Sequence, residues 1–393
     1  MRFHLFGLAQ IPLRWGECCC PFTTLAYNMA RMVKDAGHEL VVYGSAGSDV
    51  PCDEFVEIVS PATLRTHYRP DDTGAIKWNW EQKQGEPVWL EHAARGKAEL
   101  AKRYRAGDIA LISFGNFQAF VAEVAPLAVE YIVGYTGTFH WARVFPCYAW
   151  LHTIHGLIQQ TANDGGMIAP GWHEAVIPHY LDPAQFQPGG PLGPRGPRGH
   201  GGVSPLQARD GYLLFLARLN TAKGIDIAVD VAREAGIPLK VAGQTEGGNP
   251  RPDWLVAQAR GHDVELLGPV GHKQRVELLQ GARALLAPTR YVEAFGMTSI
   301  EAQACGTPVI ASDWGGFSET VEHGVTGYLC RSFDEFVRSC QDVRIDGHDC
   351  QERVRKMYSL QAVWPQYERY FERLRRVQSQ GWYALSSDTA STQ

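Results

Sequence analysis

The sequence predicts an α/β protein of two domains, each built on an open parallel sheet. Three observations carry this: apolar strand-like runs alternate with helical stretches, a proline- and glycine-rich segment interrupts the alternation near mid-chain, and the alternation then restarts. At 393 residues the chain also exceeds what one hydrophobic core usually supports.

In the first half the strand candidates are FHLFGLA (3–9), ELVVYG (39–44), IALISF (109–114), EYIVGY (130–135) and GMIAPG (166–171). Between the first two lies PFTTLAYNMARMVKDAGH, where Leu25, Met29, Met32 and Val33 recur at helical spacing and Gly37 supplies a stop. Strand, helix, strand at this rhythm gives a parallel sheet with right-handed crossovers. From Pro183 to about Ser204 the composition changes, and PGGPLGPRGPRGHGGVSP reads as a linker, too irregular for a collagen repeat. The boundaries that follow are a first domain at 1–182, a linker at 183–209 and a second domain at 210–360.

The second domain runs through YLLFLAR (212–218), PLKVAG (238–243), VELLG (264–268), ALLAPT (284–289) and TPVIASD (307–313), with helices between. A tail helix, VWPQYERYFERLRRVQ, sets Tyr367, Tyr370, Phe371 and Leu374 on one face. Two such domains joined by a linker place a ligand cleft between them.

A hydrophobic fraction of 45%, a charged fraction of 20% and a net charge of −5 describe an ordinary globular protein, without an electrostatic footprint for wholesale nucleic-acid or membrane binding. No apolar stretch reaches the about 20 residues of a membrane span, and the N-terminus reads as a strand rather than a signal peptide. The nine cysteines include Cys18, Cys19 and Cys20 in a row, with no paired C-x-x-C. Reduced thiols and a cytoplasmic location are the expectation.

In open parallel sheets ligands lie beyond the carboxyl ends of the strands, so the residues just after each strand matter most. Arg218 and Lys223, in LARLNTAKG, follow the second domain's first strand. As an isolated pair they read as solvated cations; after a strand end they can clamp a diphosphate, helped by the helix start at Gly224. Glu293-Ala294-Phe295-Gly296-Met297-Thr298 leads from ALLAPT into SIEAQAC. Gly296 admits a close backbone approach, and the amides of Met297 and Thr298 are free to bind an anion. Glu293 and Glu301, eight positions apart, can accept from vicinal hydroxyls, as sugars and ribose offer; the bland readings are a loop acid and an acid near a helix start. Gly315-Gly316, in SDWGGFSE, is a turn signal that also permits close approach to a ligand.

The first domain offers Gly16, in RWGECCCPFTT, as its nearest approach to a phosphate loop, without G-x-G-x-x-G spacing, which counts against an NAD enzyme. His152 and His155 lie three apart on a helix, read as packing rather than a metal pair. No G-x-S-x-G, H-E-x-x-H, Walker lysine loop or D-x-D occurs.

LARLNTAKG, LKVAGQ, VELLGPV, EAFGMTSIEAQACGTPVIASDWGGFSETV and EHGVTGYL, in this order from Tyr212 to Leu329, resemble the retaining GT-B-fold glycosyltransferases of family 4 (glycosyl transferases group 1). VIPHYLDPAQF (176–186) is similar to that family's end-of-first-domain motif, and DAGHELVVYG to its second-strand approach. The resemblance implies two Rossmann-like domains facing each other across a cleft, with the final helix, about 363–380, packing back on the first. It implies transfer of a sugar from a nucleoside-diphosphate sugar, a UDP-sugar favoured, with retention and with no metal or other cofactor. Arg218 and Lys223 match the pair holding the donor diphosphate, and Glu293 the carboxylate on the donor sugar. The amides from Phe295 to Thr298 would meet sugar and phosphate, Glu301 the ribose, and Gly243 and Gln244 the base. The family commonly carries a histidine at the end of a central first-domain strand; here Tyr135 and Thr136 stand there, and His140 is the candidate near the donor sugar.

The acceptor is left open among a glycan, a small molecule and a modified nucleobase, and oligomeric state is not readable. YRPDDTGAIKWNWEQ (68–82) and FHWARVFPCYAW (139–150) offer aromatics that either stack on an acceptor or anchor the core. Two rival readings are a GT-B-fold epimerase or phosphorylase, and a non-catalytic sugar-nucleotide-binding protein.

Overall fold

Short apolar runs closed by glycine, proline or a polar turn become buried strands, and the stretches between them become the helices that cover both faces. The computed structural model describes residues 1–16, 20–67, 84–161, 171–188, 211–245 and 247–380. Cys18, Cys19, most of the 183–209 linker, the 68–82 aromatic stretch and nearly all of 166–171 lie outside the described residues. The chain divides into two units, Met1–Tyr180 together with the C-terminal helix, and Leu181–Ser359.

In the first unit, β1 (Arg2–Phe6), β2 (Glu39–Ser45), β3 (Glu54–Val59), β4 (Ile109–Ile112) and β5 (Ala128–Glu130) form one sheet in the order β3-β2-β1-β4-β5. Every pairing is parallel. β4 and β5 are buried at every position, as a sheet covered on both faces requires. α1 (Pro21–Asp35) makes the β1-to-β2 crossover; it opens on a proline, and Leu25, Met29, Met32 and Val33 are all buried. α2 (Pro61–His67), α3 (Pro87–Arg103) and α4 (Phe120–Val124) follow. Then comes a parallel two-stranded pair, β6 (Val144–Phe145) and β7 (Ala175–Val176), with α5 (Tyr148–Thr161) between them.

In the second unit β8 (Leu213–Leu216), β9 (Leu239–Ala242), β10 (Val264–Gly268), β11 (Ala284–Ala287), β12 (Val309–Ser312) and β13 (Gly327–Cys330) run in the order β10-β9-β8-β11-β12-β13, again all parallel. The helices are α6 (Ile225–Ala235), α7 (Asp253–Ala259), α8 (His272–Gly281), α9 (Met297–Ala304), α10 (Phe317–Thr320), α11 (Phe333–Gln341) and α12 (Gly347–Met357). Both sheets share one winding, outward from the first strand to one side and then from the fourth to the other, the doubly wound pattern of nucleotide-binding folds.

The last helix, α13 (Leu360–Gln380), groups with the first unit. Its apolar stripe is buried: the Tyr367 hydroxyl donates to the Tyr131 carbonyl at 2.7 Å, and Phe371 meets Phe3 edge-on at 5.2 Å.

Two local expectations change. The run at 130–135 is not a strand: β5 ends at Glu130, and the chain beyond it bends and folds back over that carboxylate. β3 and α3, unanticipated, fill the stretch after β2. None of the seven described cysteines is in a disulfide. Among the described residues no helix is long and apolar enough to cross a membrane.

Candidate functional site

The strand order of the second unit reverses between β8 and β11, so the loops that follow these two strands adjoin at the end of the sheet where ligands bind in such folds. The sequence puts a cation-bearing turn after β8 and an acid-bearing turn after β11, and the structure ties the two together. A Cβ on Gly224, whose φ is +75°, would sit 1.9 Å from the Pro288 carbonyl oxygen, so only glycine allows this approach. The Arg290 amide donates to the Ala222 carbonyl at 2.8 Å, and its guanidinium grips Asp226 of α6 through two bonds of 2.6 Å.

This join brings Lys223 and Glu293 together: the ammonium lies 2.6 Å from Oε2, with both side chains largely buried. A third group completes the contact. The Tyr291 hydroxyl donates to Glu293 Oε2 and also accepts from Lys223 Nζ, and Nζ stands 4.8 Å from the centre of the Tyr291 ring. Burial, and then the neighbouring carboxylate, push the phenol well above its ordinary range, so it stays protonated at any physiological pH. Arg218 stands exposed at the end of β8, its charge acting on Tyr291 in the opposite sense.

The acid-bearing turn is held from its other side by the loop after β12. The Gly316 amide donates to the Glu293 carbonyl at 2.7 Å, and a Cβ on Gly316 would fall 2.5 Å from Phe295 Cα. The Gly315-Gly316 pair thus permits close passage, and the neighbour is the backbone of the Glu293–Phe295 turn. The Trp314 indole N–H donates to the Tyr291 carbonyl at 3.1 Å.

Gly296 begins α9 in the left-handed conformation, and no side chain caps the helix. Its first amides, those of Met297 and Thr298, are therefore the orphan donors that a helix start presents, with the positive end of the helix behind them. Phe295, buried, packs edge-on against Tyr358 at 5.8 Å. Glu301, also buried, is held by Arg275 of α8 at 3.0 and 3.3 Å, the partner that a carboxylate removed from water needs. At the end of β9, Gly243 donates its amide to Gly268 at 2.8 Å, and the Gln244 carbonyl accepts from Leu219 at 2.9 Å.

Arg218, Lys223, Gly243, Gln244, Glu293, Phe295 to Thr298 and Glu301 therefore all lie at strand ends or helix starts of one unit. Glu293 and Glu301 answer to different cations. Gly16 and His140 belong to the other unit. Gly16 sits between β1 and α1 with a φ of +76° and open space where a Cβ would go. His140 is buried; its amide donates to Glu130 Oε1 at 2.7 Å, and its Nδ1 accepts from Ala142 at 3.2 Å. Burial pushes its imidazole down to about 4, so it is neutral at pH 7. Its surroundings are those of a structural side chain.

The organiser of this loop is Glu130, fully buried at the end of β5, which also accepts from the Phe139 amide and the Tyr135 hydroxyl at 2.9 Å each; burial raises its carboxyl above the ordinary range. His155 pairs with Glu174 at 2.8 Å while His152 is exposed, and among the described residues no cluster could hold a metal ion. Of the aromatics at 139–150, Phe145 and Trp150 are buried, whereas Phe139, Trp141 and Tyr148 are exposed.

Sequence reasoning missed Tyr291, Arg275, Arg290 and Glu130. Tyr291 carried a signal: it stands two residues before Glu293 in the turn that follows β11. Arg275 and Arg290 have partners remote in sequence, and Glu130 is met by a loop five to ten residues on; no local pattern marks any of the three.

Comparison with known proteins adds the family context. Residues 202–357 match the family model described as Glycosyl transferases group 1. The glycogen synthase of Mycobacterium tuberculosis (strain CDC 1551 / Oshkosh) is 35% identical over 131 residues, 31% of this chain and 30% of that protein. The D-inositol 3-phosphate glycosyltransferase of Rhodococcus erythropolis is 35% identical over 136 residues, 33% of this chain and 28% of that protein. The matched stretch thus spans about 30% of the length of these curated relatives. Among solved structures, Anabaena Alr3699/HepE in complex with UDP and glucose gives a TM-score of 0.62 at 15% identity, covering 95% of this chain and 99% of that one. Sucrose-phosphate synthase from Thermosynechococcus elongatus gives 0.62 at 17%, covering 95% and 98%. The fold is that of the GT-B glycosyltransferases, and its second unit carries the group 1 domain.

Proposed function

We propose that this chain is a retaining glycosyltransferase of family 4 type that moves a sugar from a nucleoside-diphosphate sugar, a UDP-sugar foremost, to a separate acceptor. One observation carries the reading: at the switch point of the matched domain, Lys223, Tyr291 and Glu293 converge from the loops after β8 and β11, in the turn that leads to the uncapped start of α9. Cation, hydroxyl-binding acid and anion-binding amides in that arrangement suit a sugar diphosphate. Structures of Anabaena Alr3699/HepE were solved with UDP, with UDP and glucose, and with UDP-glucose, which favours uridine for this chain.

In the proposed mechanism Arg218 and Lys223, with the amides of Met297 and Thr298, stabilise the diphosphate charge that develops as the glycosidic bond breaks. Glu293 orients the donor sugar through its hydroxyls. Glu301, steadied by Arg275, accepts from the ribose hydroxyls, and Gly243 and Gln244 line the approach of the base. The diphosphate charge is assigned wholly to these groups, so the mechanism calls for no metal. Retention is ascribed to same-face attack by the acceptor, and no side chain is given the role of covalent nucleophile.

A thermal-shift screen against UDP, GDP, ADP and dTDP tests the reading. A ligand at 100 times its Kd adds about 2.7 kcal/mol, so UDP should raise the melting temperature by several degrees. Nucleotide release from the matching donor should then depend on added acceptor, which separates transfer from epimerisation. Stabilisation by none of the four removes the donor site.

A further inference from the structure

The Lys223 ammonium and the Glu293 carboxylate satisfy each other. For each to meet a sugar diphosphate, that pairing has to open, and a carboxylate left with 14% side-chain exposure then needs another donor. Tyr291 is placed to be that donor. Its hydroxyl touches both partners, and the backbone that carries it is anchored by further bonds. The backbone carbonyl is held by Trp314, and the flanking residues are tied by Arg290 to Ala222 and by Gly316 to Glu293. The groups facing it are Lys223, Glu293 and the charge of Arg218.

We infer that Tyr291 is a positioning residue of the donor site: its phenol latches Lys223 to Glu293 before a diphosphate binds and remains the donor to Glu293 after a diphosphate draws Lys223 away. This rests on the glycosyltransferase reading above. The latch has two opposite effects. Closed, it competes with diphosphate for the lysine, and so weakens binding of a bare nucleoside diphosphate. Open, it keeps Glu293 aimed, and so supports turnover. A residue with a merely structural role would weaken both when altered.

The test is Tyr291→Phe, which keeps the ring beside Lys223 and removes only the hydroxyl. UDP affinity, measured by calorimetry, should be unchanged or tighter, while kcat with the UDP-sugar falls about 10- to 100-fold, the worth of a hydrogen bond to a charged group. Carbon-detected NMR of the nucleotide-free protein should show the Glu293 carboxyl resonance displaced in the variant by loss of the Tyr291 hydrogen bond, a readout independent of turnover. Parent-like turnover with a parent-like Glu293 carboxyl resonance would overturn the role of Tyr291. So would weaker UDP binding together with a lowered melting temperature, which marks a structural tyrosine. If the parent protein binds none of the four nucleoside diphosphates, the donor reading falls and this inference with it; if the parent binds UDP, the variant judges Tyr291 alone.

Discussion

The two sheets are wound alike, yet they treat the switch point in opposite ways. In the first unit it lies between β1 and β4, and neutral side chains close it. Gln118 and His92 both donate to the Gly7 carbonyl, at 2.7 and 3.1 Å, and the Ser113 hydroxyl donates to that of Phe6 at 2.6 Å. All three are buried. In the second unit the same position carries Lys223 and Glu293 on loops whose backbones touch, with exposed Arg218 beside them. Winding positions a site; the polarity and exposure of what ends the strands decide whether the site is plugged or left for a ligand.

Glu293→Gln tests the open half of this contrast most strongly. It keeps shape and removes charge, and kcat should fall about 10³-fold, the cost of losing one preorganised group at a developing charge, with the fold retained by circular dichroism. Transfer at the parental rate takes Glu293 out of the site.

Next in size is a matched pair of glycine substitutions. Gly224→Ala adds a Cβ that meets the Pro288 carbonyl oxygen at 1.9 Å, on top of a left-handed φ, and should cost about 3 kcal/mol or more in chemical denaturation. Gly16→Ala bears a similar φ in open space and should cost about 1 kcal/mol. Equal costs would mean that the loops after β8 and β11 are not pressed together.

The third effect concerns pH. Burial lowers His92 and His140 to about 4 and His179 to about 3, all in the first unit. The fold holds them neutral while the unfolded chain protonates near 6.5. Their contribution is therefore complete above pH 6.5 and is lost as pH falls toward 4, at about 1.4 kcal/mol per pH unit for each group. Between pH 7 and 5, hydrogen exchange corrected for intrinsic rates should accelerate in β1 to β5 more than in β8 to β13. Equal acceleration breaks the contrast.

The sequence exposed the strands of the second unit well, because each is a short apolar run closed by proline, glycine or a charged turn. It also singled out Lys223 and Glu293 as strand-end residues, 70 positions apart and 2.6 Å apart in space. β3 escaped notice because EFVEIV alternates its polar and apolar residues weakly and sits between turn-like stretches. Arg275 and Glu130 were not legible at all. Each acts on a partner that the chain reaches only by folding, and a lone arginine in a polar helix, or a glutamate at a strand end, looks like solvated surface. The aromatic run at 139–150 divides between core and surface for the same reason: identity alone does not say which way a ring faces.

The joints between the loops have a practical consequence for redesign. Where Gly316 meets Phe295 and Gly224 meets Pro288, main chain rests on main chain with no side chain as a spacer. Such joints have no intermediate settings: a substitution there does not tune the site but dismantles it. On the proposed glycosyltransferase reading, graded change in donor preference is to be sought in side chains away from these joints, such as Gln244 and Met297, and a library confined to those positions would sample new specificities while leaving the joints intact.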